Sequence, residues 1–233
     1  AGPCFPPQAH PDAQQPADDD VIAWMDRMHA EGRRVVCINM GTIYYYQPQD
    51  YAHMVQALHM IHEQNPNVAF LWKIAQRPKH VQNIPSEDEA ALPPYVRRLS
   101  WIPSMTAVME HPALAVMMHH GGGNSLNECL AYGIPQFCIS QWVDTHDIGL
   151  CIRHSGVGLW SEYSPDFVPE DICSQLLQLV EDKDHTFRYT ALSWKLKTQQ
   201  AGGTKFAADL IQSYVTDYTY AGGSSKAPMP HAM

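Results

Sequence analysis

Met117-Met118-His119-His120-Gly121-Gly122-Gly123-Asn124-Ser125-Leu126-Asn127-Glu128 decides how the rest of this chain is read. An apolar run ends in three glycines, then Asn and Ser, then residues with helical spacing. That is a strand running through a tight loop into a helix. Glycine tolerates positive φ and lets a backbone approach a ligand closely. Asn124 or Ser125 suits the N-cap, and the helix N-terminus carries partial positive charge and free N–H groups. Together these make an anion seat, above all for phosphate. The spacing is not GxGxxG, and no Lys follows the glycines as in a Walker loop. Glu128 lies one helical turn beyond Asn124 on the same face. A carboxylate there can accept hydrogen bonds from a ribose diol. The alternative is a Gly-rich turn that serves packing only.

Outward from this stretch, strands and helices alternate. Arg33–Asn39, Val68–Ile74, Val96–Ile102, Ala113–Met118, Gln136–Ile139 and Gly158–Trp160 read as strands, the first a short β-branched run. Helical spacing covers Val21–Met28, Tyr51–His62, Thr106–Glu110, Asn124–Tyr132, Thr145–His154, Pro169–Glu181, His185–Gln199 and Gly203–Tyr214. Such alternation with short loops predicts an α/β fold, a Rossmann-like parallel sheet with helices on both faces. Ligands then bind beyond the carboxyl ends of the strands, at Gly41–Thr42, Trp101–Ser104, His119–Ser125 and Gln141–His146. Residues 1–19 have the Pro-rich composition of a linker. The folded domain is expected over 20–217, with a tail at 218–233.

A formal net charge of −9 argues against nucleic-acid binding, which needs clustered cations. It does not oppose a small anion held by backbone N–H groups. None of the six cysteines forms a CxxC pair, and most sit in apolar runs. They read as buried free thiols in a reducing compartment, so a cytoplasmic protein is expected. No apolar run is long enough to span a bilayer, and no signal peptide is visible. The first residue is Ala, which suggests that an upstream portion has been removed. His119 and His120, adjacent on a strand, point to opposite faces and make a poor metal pair, so no metal is expected.

The segment from Trp101 to Thr145 resembles the donor-binding, C-terminal domain of UDP-glycosyltransferases of the GT-B fold. The resemblance is carried by Trp101-Ile102-Pro103-Ser104, where the family has Trp-x-Pro-Gln, and by His120-Gly121-Gly122-Gly123-Asn124-Ser125 with Glu128. It continues through Gly133-Ile134-Pro135 and closes on Gln141-Trp142-Val143-Asp144-Thr145, where the family has Asp-Gln. Weaker likeness lies at Trp24-Met25-Asp26, Val35–Thr42 and Phe70-Leu71-Trp72.

The resemblance implies a role for each position. Trp101 would stack on uracil, and the Ile102 backbone would bond the base edge. Ser104 or its backbone would lie near the ribose, with a shorter side chain than the family's Gln. Glu128 would bind the ribose hydroxyls. His120, Gly122, Gly123, Asn124 and Ser125 would hold the diphosphate, with Thr42 of the Gly41–Thr42 loop closing over it. Asp144 would accept from sugar hydroxyls, and Thr145 stands where Gln helps to hold them. Trp142 either walls the sugar pocket or packs in the core. Tyr44-Tyr45-Tyr46 either lines the cleft or covers the sheet edge and faces another domain.

The implied chemistry is an inverting, metal-independent hexosyl transfer from a UDP-sugar, glucose by default. The acceptor is a hydroxyl of a small lipophilic or natural-product molecule. The UDP-sugar is a co-substrate, and no cofactor is implied. In the family a His on an N-terminal acceptor domain removes the acceptor's proton, and that domain is the expected intrachain partner. No such half precedes the first strand here, so this chain is expected to bind nucleotide sugar but turn over little alone. A separate nucleotide-sugar-binding subunit and a non-catalytic binder are the alternatives.

Overall fold

The computed structural model describes residues 19–86 and 92–220. The Pro-rich stretch ahead of Asp19 and the chain after Tyr220 lie outside the described residues. Six strands form one sheet: β1 (Arg34–Asn39), β2 (Val68–Lys73), β3 (Val96–Leu99), β4 (Leu114–His119), β5 (Gln136–Cys138) and β6 (Gly158–Trp160). The order across the sheet is β3-β2-β1-β4-β5-β6, and every pairing is parallel. Eight helices connect and follow the strands: α1 (Asp19–Ala30), α2 (Pro48–Gln64), α3 (Met105–Glu110), α4 (Gly123–Tyr132), α5 (Val143–Ser155), α6 (Pro169–Glu181), α7 (Thr186–Gln200) and α8 (Gly203–Tyr220). Every element read from the sequence is found. The last helix runs further than its apolar spacing indicated, into the stretch read as tail.

A strand presents successive side chains to opposite faces, and this alternation builds two cores. Val68, Phe70 and Trp72 of β2 face one side, where Val36 and Ile38 of β1 join Met54, Leu58 and Ile61 of α2. The same side receives Ile172, Leu176 and Val180 of α6, whose buried residues recur at helical spacing. Ala69 and Leu71 face the other side, with Val35 and Cys37, against Trp24, Met25 and Met28 of α1 and Val108 and Cys129 of α3 and α4. Because both faces of the sheet are covered, the central strands are buried along their whole length, as in Leu114–His119, and apolar up to the last residue.

This packing divides the tyrosine triplet. Tyr46 is in the core, with its hydroxyl 3.0 Å from Nε1 of Trp72 and its N–H 3.0 Å from Oε1 of Gln82. Tyr44 packs on Tyr46 and Phe167 and donates to Asp50 at 2.8 Å. Tyr45 is exposed and Tyr44 half-buried, so of the three only Tyr46 is committed wholly to the core. Cys37, Cys129, Cys138 and Cys173 are buried free thiols, and Cys151 is exposed and free. No helix among the described residues is long and apolar enough to cross a membrane.

The strand order reverses between β1 and β4. At such a switch point the two following loops diverge to opposite faces and leave a crevice. Here those loops are Met40–Gln47 and His120–Gly122, the two glycine-bearing loops singled out in the sequence.

Candidate functional site: a phosphate seat at the β1/β4 switch point

His120 occupies the crevice with its imidazole between two glycines. A Cβ on Gly41 would lie 2.7 Å from Cε1 of His120, and a Cβ on Gly122 would lie 2.6 Å from Nε2. Both are closer than non-bonded carbon contacts allow, so each glycine is there for close approach. The ring also meets Trp142 edge-on, with centroids 5.4 Å apart. Nδ1 of His120 is buried without a hydrogen-bond partner. Burial lowers the His120 pKa; Asp144 opposes the shift and Lys73 adds to it.

The glycine loop is fixed from below by His119. Its Nδ1 accepts from the Gly121 N–H at 3.1 Å, which places the proton on Nε2, directed at Oε1 of Gln136 at 2.9 Å. The ring is fully buried, and burial depresses its pKa to about 4. His119 and His120 thus serve opposite sides of the strand end. The unfolded chain, with a His pKa of 6.5, takes up a proton that the folded chain refuses between pH 6.5 and about 4. Stability therefore falls on acidification through that window, and His119 contributes about 2 kcal/mol of loss between pH 7 and pH 5. Urea denaturation at the two values checks this. The loss should shrink by about that amount in His119→Gln.

The N-cap of helix α4 lies two to three residues earlier than its side-chain chemistry suggested. Its N-cap is Gly122, which offers no capping side chain, and Asn124 and Ser125 lie inside the first turn. The N–H groups of Gly123, Asn124 and Ser125 precede the first intrahelical bond, from Leu126 N–H to the Gly122 carbonyl. They are thus free to bind an anion. Gly123 faces open space. Glu128 lies on the same helix, and burial raises its pKa. A groove of about 1110 Å³ along α3, α4 and α7 reaches Glu128 at one edge. Its floor includes Arg34, Leu114 and Pro135, at the amino ends of the strands and away from the converging loops.

Trp101 follows β3 and is 57% exposed, an unusual state for so large an apolar ring. Ile102 beside it is buried. The Ser104 hydroxyl accepts from Ala107 N–H at 3.2 Å and caps α3, so it is engaged locally. Thr42 and Asp144 are exposed, and Val143 between Trp142 and Asp144 is 90% exposed.

Thr145 differs most from the sequence expectation. It is buried, and its hydroxyl accepts from the N–H groups of Gln141 and Trp142 at 3.0 and 2.9 Å while donating to the Trp142 carbonyl at 2.6 Å. The side chain closes the first turn of α5 and is not presented to the cleft.

One residue that the sequence reading passed over joins the two halves of the site. Lys73 ends β2, a strand buried along its length, and its ammonium donates to the Gly41 carbonyl at 3.4 Å and to Asn39 Oδ1 at 3.3 Å. It also lies 4.7 Å from the centroid of the Trp101 ring. Trp101, Lys73, Gly41, His120 and Trp142 are therefore contiguous. The available signal was a lysine closing an otherwise apolar central strand, where such residues are rare without a reason.

The Erythromycin biosynthesis protein CIII-like C-terminal domain model matches residues 79–207, more than half of the chain. The chain belongs to this family. Among curated relatives it is 26% identical to erythritol-mannosyl-transferase 1 of Mycosarcoma maydis, across 91% of this chain and 43% of the relative. It is also 26% identical to the limonoid UDP-glucosyltransferase of Citrus unshiu, across 85% of this chain and 40% of the relative. Among solved structures, UDP-glucose: anthocyanidin 3-O-glucosyltransferase in complex with UDP superposes with a TM-score of 0.64 at 21% identity, over 82% of this chain and 41% of that one. The last comparison concerns the fold, which is that of the C-terminal half of GT-B glycosyltransferases. The chain spans less than half the length of the relatives it matches.

Proposed function

We propose that this family member is the donor-binding half of a UDP-sugar-dependent hexosyltransferase. The observation that carries the reading is the His120 ring held between Gly41 and Gly122 at the β1/β4 switch point, beside an α4 N-terminus with uncapped N–H groups. Such a cluster of neutral donors suits a leaving diphosphate, whose charge grows as the glycosidic bond breaks. Trp101 provides the base platform, Glu128 the ribose acceptor, and Asp144, beside Trp142, an acceptor for sugar hydroxyls. Ile102 contributes backbone atoms, Ser104 and Thr145 hold the frame, and Thr42 covers the phosphates. The transfer is inverting and needs no metal. The acceptor site and the base lie in the remainder of the protein, which the coverage of the relatives supports. Exposed Ile43, Tyr45, Val143 and Tyr163 beyond the strand ends support an opposing domain there.

Titration calorimetry with UDP, UDP-glucose, UDP-glucuronate and GDP tests the reading. The expected order places UDP-glucose and UDP ahead of GDP, and absence of UDP binding would overturn it. The mannosyltransferase relative favours a second reading in which the sugar is mannose, so GDP-mannose belongs in the same panel. Trp101→Ala should weaken every uridine ligand by about tenfold or more, the range of a lost base–aromatic stack. Incubation of the chain alone with UDP-glucose and hydroxylated acceptors should yield little or no transfer.

Glu128 makes a further prediction. Because burial raises its pKa, the ionised carboxylate is held at a cost to the folded state at neutral pH, and that cost is relieved as pH falls. Glu128→Gln should therefore leave the denaturation midpoint at pH 7 unchanged or raised, while UDP affinity drops about tenfold through loss of a charged acceptor. A variant that loses both stability and affinity would place Glu128 in the framework instead.

A further inference from the structure

We propose that Lys73 is the cation of the diphosphate seat, one ammonium that serves the phosphate and the base platform together. The inference rests on the nucleotide reading above and adds a residue to it. The seat as read from the glycine loop holds no formal positive charge: Gly122, Gly123, Asn124 and Ser125 are neutral donors, and burial favours neutral His120. A nucleoside diphosphate brings two or more negative charges into a crevice from which water is partly excluded, where an unbalanced charge is costly.

Lys73 answers that demand from below the β1–α2 loop. Its residue is 6% exposed, yet among the described residues no carboxylate pairs with it. Its partners are two neutral oxygens at long range, Asn39 Oδ1 at 3.3 Å and the Gly41 carbonyl at 3.4 Å, and the face of Trp101. Buried lysines are paired as a rule, so this one lacks its counter-ion. The Gly41 that it touches is in turn against His120. Burial lowers the Lys73 pKa, and Arg77 adds to that shift, so an incoming anion is rewarded for restoring the balance. Arg77 itself is turned to the loop, with its guanidinium bonded to the Thr42 carbonyl and packed on Tyr45. On its other side the Lys73 ammonium lies over the Trp101 ring, so the same charge that draws in the phosphates steadies the surface on which the base stacks.

Three variants separate charge from bracing: Lys73→Gln keeps hydrogen-bond donors without charge, Lys73→Met keeps only the stem, and Lys73→Arg keeps the charge. Calorimetry with uridine, UDP and inorganic pyrophosphate on the full chain reads each. The expected result is a loss of at least about tenfold for UDP in both Gln and Met variants, with uridine changed by less than about threefold and Arg close to wild type. The salt dependence of UDP binding should flatten in the uncharged variants. UDP affinity retained in Lys73→Gln would overturn the proposal, because bracing alone would then suffice. Equal losses for uridine and UDP would also overturn it, reducing Lys73 to a support for Trp101. Wild-type binding of pyrophosphate that depends on Lys73, without binding of uridine or UDP, would uphold Lys73 as the anion's cation and remove the nucleotide reading.

Discussion

The Gly122→Ala variant is expected to fold normally and to lose UDP affinity by about thirtyfold or more. Gly122 has a φ of −70°, which any residue adopts, so the added methyl brings no backbone strain. Its cost is local: the new Cβ would lie 2.6 Å from Nε2 and 2.8 Å from Cε1 of His120. On the β1 side the ring is neighboured by Gly41, where an added Cβ would lie only 2.7 Å from Cε1. It must swing out of the crevice or push the first turn of α4 away, and either movement takes a donor from the phosphates. A hydrogen bond to a charged group contributes about 1.5–3 kcal/mol, which corresponds to roughly ten- to a hundredfold in affinity. Calorimetry with UDP measures the loss, and an unchanged urea midpoint shows that the fold is intact. Ordinary affinity in this variant would mean that His120 is not part of the seat. Gly123→Ala is the control, since its Cβ meets open space.

Gly158→Ala is expected to be the more damaging change for the fold, costing about 3 kcal/mol or more, in the range of severe core overpacking. Gly158 opens β6 opposite Gln136 of β5. A Cβ there would lie 1.9 Å from the Gln136 carbonyl oxygen, a backbone atom that no rotamer change can move. The strands must separate or slip. Gln136 also holds His119, which holds Gly121, so damage at the sheet edge travels to the phosphate seat. Urea denaturation should show the midpoint lowered by far more than in Gly122→Ala, and residual UDP binding should be weak even below the transition. A stable variant would show that β5 and β6 can part without consequence.

The fold was legible because its determinants are local and periodic. Val68–Trp72 and Leu114–Met118 are apolar at every position, which only a strand covered on both faces requires. The Gly121–Gly123 run marked the loop, and at Gly121 a φ of +88° excludes most other residues. What stayed hidden depends on neighbours distant in sequence. Nothing local says that Tyr46 faces Trp72, or that Lys73 lies under Trp101. The Gly122 N-cap was missed because Asn124 and Ser125 are better capping residues by chemistry, and the close approach of His120 overrides that preference. Nor does anything local show that Ser104 and Thr145 spend their hydroxyls within the chain. Their hydroxyls are short enough to turn back on their own helices, which a longer amide does not do.

That property of Thr145 bears on attempts to change the donor. A designer who replaces it with the amide common at this position would be exchanging a hinge pin for a finger. The hydroxyl gathers the Gln141 and Trp142 N–H groups and the Trp142 carbonyl into one knot. The Thr145 backbone oxygen and Cβ would lie 2.8 and 2.9 Å from any Cβ placed on Gly121. An amide side chain lacks the hydroxyl that holds this knot, so the exchange unfastens the turn that leads into Val143 and Asp144. Under the donor-binding role proposed above, sugar preference is tunable first at the outward positions, Val143 and Asp144, with residue 145 left as the anchor against which they are aimed.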